Sequence, residues 1–522
     1  MRRLILLMLP CALLFAQNPK IPKDALVGYK AINANSLSAR LHFLASPELE
    51  GRETTFRGQK IAARYIASEF QRLGLKPIGD SGSYFQRFAV EATKISEKSI
   101  IAVNNKQGTF NFLIADDFFS QFAQDVPVSA PAIFIGYMDT KVDSLLTKGR
   151  IVIALPGRKE DGRDTTVSPM RRLGLIRQFP GSLATLVVAD DSGASSLERL
   201  SGRMTASMKR GSMTVVGSQS RAMRFGAGFP TMVSPQLANE IMKETGKPFS
   251  QLRVAAYQDS AFQPISLNHT TVTLDIRNSK ELKTTENVVG LLEGSDPKLK
   301  DEVVAFTAHY DHLGMREDGT IYYGADDDGS GIVTVMELAQ AFSANPVKPK
   351  RNMLFMTVVG EEKGLWGSEW YVNHPIFPLE MTVADFNTDM IGRTDKKYDE
   401  LKNPNYVYVI GSDKISTQLD SILKVSNKET ENLLLDYTFN DDNDPNRYYT
   451  RSDHYNFARK GVPIAFFFTG EHADYHRPTD TVDKILFDRM VKVIRVVYAA
   501  GWKVANMKGG LARNVSSSMF AK

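Results

Sequence analysis

An α/β fold is predicted by two features of residues 284–507. Short apolar runs alternate with loops and helical stretches: 303–308 runs into His309, 353–359 into Gly360, 383–387 towards Asp389, and 462–469 towards His472. Between the first two runs, Ile332, Val335, Met336, Ala339 and Phe342 recur at the spacing of an amphipathic helix. Strands alternating with helices form a sheet covered by helices, and ligands of such sheets gather beyond the carboxyl ends of the strands. The polar clusters of this chain fall at those ends.

The rest of the chain follows in order. Arg2 and Arg3 precede an apolar run over 4–15 and then Ala16, the pattern of a secretory signal, so residues 1–16 are expected to direct export to a periplasmic or secreted location. That run is too short to span a bilayer, and no later stretch reaches 18 apolar residues. From 25 to 75 the pattern is helical: Leu37, Leu41 and Leu44, then Ile61, Tyr65, Ile66, Phe70 and Leu73, with Gly74 and Pro77 as the stop. Between 96 and 265 the texture becomes short apolar runs and turns, with strands expected at 132–135, 151–155 and 184–189. Arg171, Arg172, Arg177, Arg203, Lys209 and Arg210 there read as a solvated face. Residues 508–522 are small and polar, a flexible tail.

Composition excludes several classes. With 43% hydrophobic residues in 522, the chain can bury a core. Its one cysteine, Cys11, rules out a disulfide framework, an iron–sulfur cluster and any all-cysteine zinc site. A formal charge of +5 is too small over this length to predict nucleic-acid binding.

The chemistry lies in the last 220 or so positions, where six of the eight histidines alternate with acids. Histidine with Asp and Glu, without cysteine, favours zinc or another divalent metal held by nitrogen and oxygen. His309-Tyr310-Asp311-His312 offers an imidazole with a carboxylate two residues on. The run 324–331, Gly-Ala-Asp-Asp-Asp-Gly-Ser-Gly, packs three carboxylates into a turn before a helix, and such charges repel unless a cation neutralises some. Glu361 and Glu362 add two more at a strand end: one can bind metal while its neighbour acts as a general base. Two competing motifs fail. Asp326, Asp328, Ser330, Gly331 and Glu337 match an EF-hand loop, yet Asp318, Gly319 and Gly324 break any entering helix, and Glu337 belongs to the polar face of the next one. His472 and His476 have zincin spacing, but Ala473 stands where that motif needs glutamate.

These motifs resemble those of the M28 zinc aminopeptidases and carboxypeptidases. The matching runs are 309–314, 324–331, 360–368, 387–392, Ser452-Asp453-His454 and 475–481, six motifs in family order. Glu50-Gly51-Arg52 and 62–66 are similar to the family's opening helices. The resemblance implies a mixed sheet flanked by helices, of the zinc-exopeptidase, phosphorylase/hydrolase-like type. It divides the metallopeptidase domain into 17–95 and 266–507, with a mainly β, protease-associated-like insertion at 96–265.

Residue by residue, the resemblance implies two Zn2+ ions bridged by Asp326, with Glu362 and His476 completing one site and His309 and Asp389 the other. Asp311 would hold the His309 ring, the Asp326–Asp327 peptide would be cis, and Glu361 would be the general base. Tyr449 would stabilise the oxyanion, with Tyr448 and Arg451 as rivals. The implied activity is hydrolysis of peptide substrates by a water whose pKa the metals lower from 15.7 towards about 7. Removal of N-terminal residues is expected first. A carboxypeptidase or dipeptidase on the same site, a single-zinc glutaminyl cyclase and a receptor-like binding module are the alternatives the family contains.

Overall fold

In the computed structural model, residues 19–120, 123, 126–138, 140–160, 163–166, 179–189, 211–217, 230–259 and 262–515 are described. The expected signal segment with Cys11, the six basic residues from Arg171 to Arg210, and 516–522 lie outside them. The described residues divide into two compact units. One runs up to Phe88 and resumes at Thr284; the other is Ala89–Lys283. Both boundaries lie outside the expected insertion of 96–265, by several residues at the first and by 18 at the second.

The first unit is built on a mixed sheet. Seven of its strands, in chain order, are β1 (Asn278–Leu292), β2 (Val303–His309), β3 (Asn352–Val358), β4 (Thr382–Thr388), β5 (Tyr406–Ile410), β6 (Leu434–Asp436) and β7 (Ile464–Phe468). They lie in the order β1-β3-β2-β4-β7-β5-β6. The central four, β3, β2, β4 and β7, are parallel, while β1 and β5 join antiparallel. Every residue of β2, β3 and β4 is buried, as in parallel sheets with both faces covered.

Alternation along the strands sends side chains to two cores. On one face Val303, Ala305, Leu354, Met356 and Phe466 pack with Tyr371 and Phe457. On the other, Phe306 lies 5.4–5.5 Å, ring centre to ring centre, from Phe342, Phe355 and Phe386. Phe342 belongs to helix Gly329–Ala344, and Tyr498 of helix Phe487–Asn506 packs against it, tilted, with ring centres 4.5 Å apart. The expected polar face of Gly329–Ala344 is covered. Glu337 is 1% exposed and paired with Arg40 at 2.6 Å, accepting further bonds from Ser36 and the Asn33 amide. The helices Ala34–Leu44 and Arg57–Arg72 form where the leucine and aromatic spacing predicts, and Gly74 takes a positive φ just past the second.

The second unit holds a separate eight-stranded sheet that includes Val128–Tyr137, Ile151–Leu155 and Ala184–Val188. Its apolar strands pack against helices Pro235–Met242 and Phe249–Gln258. Among the described residues, no helix is long and apolar enough to cross a membrane.

Candidate metal centre

Sheet order brings the polar clusters together. Because β2 lies between β3 and β4, His309 at its end is flanked by the Gly360-Glu361-Glu362 turn after β3 and by Asp389 after β4. The turn 324–328, entering helix Gly329–Ala344, lies over this edge.

Two ligand groups result. His309, Asp328 and Asp389 offer donor atoms within 4.8 Å of one another, and so do His312, Asp327 and Glu362. Asp327 sits between them. Its Oδ1 is 3.3 Å from His309 Nε2, and its Oδ2 is 3.1 Å from His476 Nε2. His476 Nε2 is also 3.3 Å from Glu362 Oε2, and His309 Nε2 is 3.7 Å from Asp389 Oδ1.

Asp326, expected as the bridge, points away. Its Oδ1 accepts from the Gly392 N–H at 2.6 Å, and its Oδ2 faces His472 Nε2 at 3.2 Å. The third aspartate caps the helix: Asp328 Oδ1 accepts from the Gly331 N–H at 2.8 Å. The middle side chain is the one that reaches towards both His309 and His476, Asp328 keeps its Oδ2 towards the first group, and the cis peptide is Asp327–Asp328, one residue later than expected. Asp480, four residues after His476, fastens this turn, its carboxylate accepting from the Asp326 and Asp327 amides at 3.0–3.2 Å. Burial, then Asp326, raises the Asp480 carboxyl to about 6.

Asp311 acts on the turn more than on the ring. Its Oδ1 accepts from the Gly360 and Glu361 amides at 2.7 and 3.2 Å, and its Oδ2 from Thr54 Oγ1 at 2.7 Å. It is the Asp311 carbonyl that meets His309 Nδ1, at 3.1 Å, with the carboxylate at 3.9 Å. This fixes the ring with Nε2 towards the acids. Ser452 Oγ donates to Asp389 Oδ2 at 2.7 Å.

Beneath the cluster lies Arg52, fully buried, which donates to the carbonyls of Leu44, Tyr310, Tyr323 and Gly324 at 2.7–3.0 Å. It ties the 309–312 and 324–328 turns together. Arg52→Met leaves these carbonyls buried without donors. The expected cost is about 3 kcal/mol or more of folding stability, read from urea unfolding. An unchanged midpoint would deny Arg52 this role.

A cleft of about 480 Å³ opens on the cluster. His309, Asp327, Glu361, Glu362, Asp389 and His476 form its floor, with Phe466, Phe468, Leu365 and Met390 among its apolar walls. Burial and the neighbouring Glu362 and Asp389 hold the Glu361 carboxyl well above its ordinary range, against the opposing pull of His309. Glu362 goes the other way. Burial and Asp327 push it up, but His312 and His476 outweigh them and bring it to about 2.

Tyr449 does not reach the cleft. Successive residues of a 3-10 turn point about 120° apart. In the turn Tyr448–Thr450, Tyr448 lines the cleft while Tyr449 is buried beside His454 and Gly411. Arg451 lines the wall, paired with Glu471 at 2.9 Å and donating to the Tyr475 hydroxyl at 3.2 Å. His454 is a core histidine stacked on Phe466, its ring donating to the Tyr449 carbonyl; burial lowers it to about 3. Sequence reasoning gave no role to His312, Asp480, Thr54 or Ser452. For His312 and Asp480 the signal was position inside runs already singled out; Thr54 carried none.

Nitrogen and oxygen donors converging past the ends of parallel strands place the chain in the class of α/β proteins built around a candidate metal centre. Residues 287–500 match the family model of Peptidase family M28. A probable leucine aminopeptidase 2 from Aspergillus oryzae is 32% identical over 202 residues, 38% of this chain and 36% of the relative. Aminopeptidase YwaD from Bacillus subtilis is 27% identical over 247 residues, 46% of this chain and 49% of the relative. The chain thus spans less than half the length of these curated relatives. The solved structure of an aminopeptidase from Aneurinibacillus sp. strain AM-1 aligns with 95% of this chain and 98% of its own, at a TM-score of 0.50 and 20% identity. At that identity the likeness is one of fold.

Proposed function

We propose that the chain is a two-metal exopeptidase, an aminopeptidase that removes N-terminal residues with Glu361 as general base. The observation that carries this reading is the position of Asp327 between two ligand groups, with Glu361 beside them on the cleft floor. The residues fit metal ions: Asp327 Oδ2, Asp328 Oδ2 and Glu362 Oε1 are buried without hydrogen-bond partners, a costly arrangement unless a cation meets them. His309, Asp327 and Asp389 would hold one ion, and Asp327, Glu362 and His476 the other, with zinc matching the donor types. When bound, such ions polarise a carbonyl and make a water acidic near neutral pH.

The chain's own residues supply the rest. Glu361 accepts the proton of the attacking water and returns it to the leaving amine, and a carboxylate with a raised pKa suits both transfers. The apolar walls suit an apolar side chain. The cleft lining favours a free ammonium end over a carboxylate. It carries Asp327, Glu361, Glu362, Asp389 and Glu471, and its single guanidinium, Arg451, is already engaged by Glu471. Export rests on the basic and apolar pattern of the first 16 residues, and the protease-associated reading of the second unit on its strand-rich sheet.

A peptide panel with free or blocked ends tests the function. Cleavage is expected only at free N-termini, lost with a chelator and restored by Zn2+. Cleavage of N-blocked peptides from a free C-terminus would make the chain a carboxypeptidase. Ring closure of N-terminal glutamine with one metal per chain would make it a cyclase.

A further inference from the structure

His312 is fully buried, and neither of its ring nitrogens has a hydrogen-bond partner. A buried imidazole left so is costly. Yet its Nδ1 stands 2.9 Å from Glu362 Oε1 and 3.6 Å from Asp327 Oδ2, both of which are buried and unpartnered themselves. This nitrogen and this carboxylate oxygen are 2.9 Å apart, yet each stays without a hydrogen-bond partner in the metal-free chain. Ligand atoms of His312, Asp327 and Glu362 all lie within 4.8 Å of one another, close enough to serve one ion. Ligands about 2.0–2.1 Å from a tetrahedral ion stand roughly 3.3–3.4 Å apart, within the range of these two separations. His476 Nε2 shows the same spacing to the same carboxylates, 3.1 and 3.3 Å, from the solvent side of the cluster.

We infer that His312 Nδ1 is a direct ligand of the metal held by Asp327 and Glu362. The inference rests on the metal reading proposed above and goes beyond its ligand set. The backbone supports the placement. The His312 amide donates to the Arg52 carbonyl at 3.3 Å, and the ring packs under Gly324, where a Cβ would come within 2.5 Å of it. The ring is therefore held in place by the two turns that Arg52 joins. His476, by contrast, has a side chain 37% exposed, on the loop at the cleft mouth. The second ion then has a buried anchor in His312 and a partly exposed ligand in His476.

The test uses the full chain loaded with Co2+, whose coordinated histidines give solvent-exchangeable, hyperfine-shifted ring N–H signals in the proton NMR spectrum. Wild type is expected to bind two equivalents and to show three such signals, from His309, His312 and His476. His312→Gln is expected to fold with unchanged circular dichroism, to show two signals, and to take up the second equivalent at least tenfold more weakly. Two signals in wild type, or a count unchanged in His312→Gln, would overturn the assignment while leaving the peptidase reading intact. Failure of wild type to take up Co2+ or Zn2+ would overturn both. The wild-type count needs no variant, so a misfolded His312→Gln leaves the test decisive.

Discussion

Asp327→Ala is expected to leave the chain without either metal ion and without measurable turnover. Asp327 faces both ligand groups, its two oxygens 3.3 and 3.1 Å from His309 and His476. Losing it removes a ligand from each ion at once. With both ions gone, Glu361, Glu362 and Asp389 face one another with no cation to offset their repulsion. Asp326→Asn is the paired measurement. Asp326 is bound to the Gly392 amide and faces His472, so its substitution is expected to cost about 1–3 kcal/mol of stability while both metals stay. Metal per chain by mass spectrometry, together with urea unfolding, reads both effects. The reverse outcome, metals lost from Asp326→Asn and kept by Asp327→Ala, would return the bridging role to Asp326.

That pair of variants also marks where sequence reasoning stopped. Strands and helices were legible because the apolar runs at 303–308 and 353–359 are long and end at polar turns, and sheet order then forces their ends together. The roles of the three consecutive aspartates were not. Identical side chains at adjacent positions carry no local signal, and their division of labour depends on partners far along the chain: Gly392 and His472 for the first, Gly331 for the third. Only a helix start at Gly329 could have marked Asp328 as its cap. Tyr448 and Tyr449 posed the same problem, since one residue of phase in a tight turn decides which ring meets the cleft. Glu337 misled for a different reason. The spacing put it correctly opposite the apolar stripe, but that face is covered by Arg40 and the first helices, which the pattern of a single helix cannot reveal.

Glu361→Gln is expected to keep both metals and lower kcat by about 10²–10⁴-fold, the range of a positioned general base, with little change in KM. The substitution keeps the shape and removes the proton acceptor. Glu361 is well placed for a base and poorly placed for a structural anchor. It lines the cleft, its Oε2 lies 4.0 Å from His309 Nε2, and its backbone amide, not its side chain, is what Asp311 fastens. Its surroundings predict a second readout. A buried carboxylate facing Glu362 and Asp389 opposes folding of the metal-free chain, which is why its pKa is raised. The metal-free Gln variant should therefore melt no lower than metal-free wild type, while the catalytic loss remains. A purified, metal-replete Gln variant within a few-fold of wild-type kcat would remove Glu361 from the reaction. A variant that instead lost its metals would make Glu361 a ligand, and the base would have to be sought among the other groups of the cleft floor.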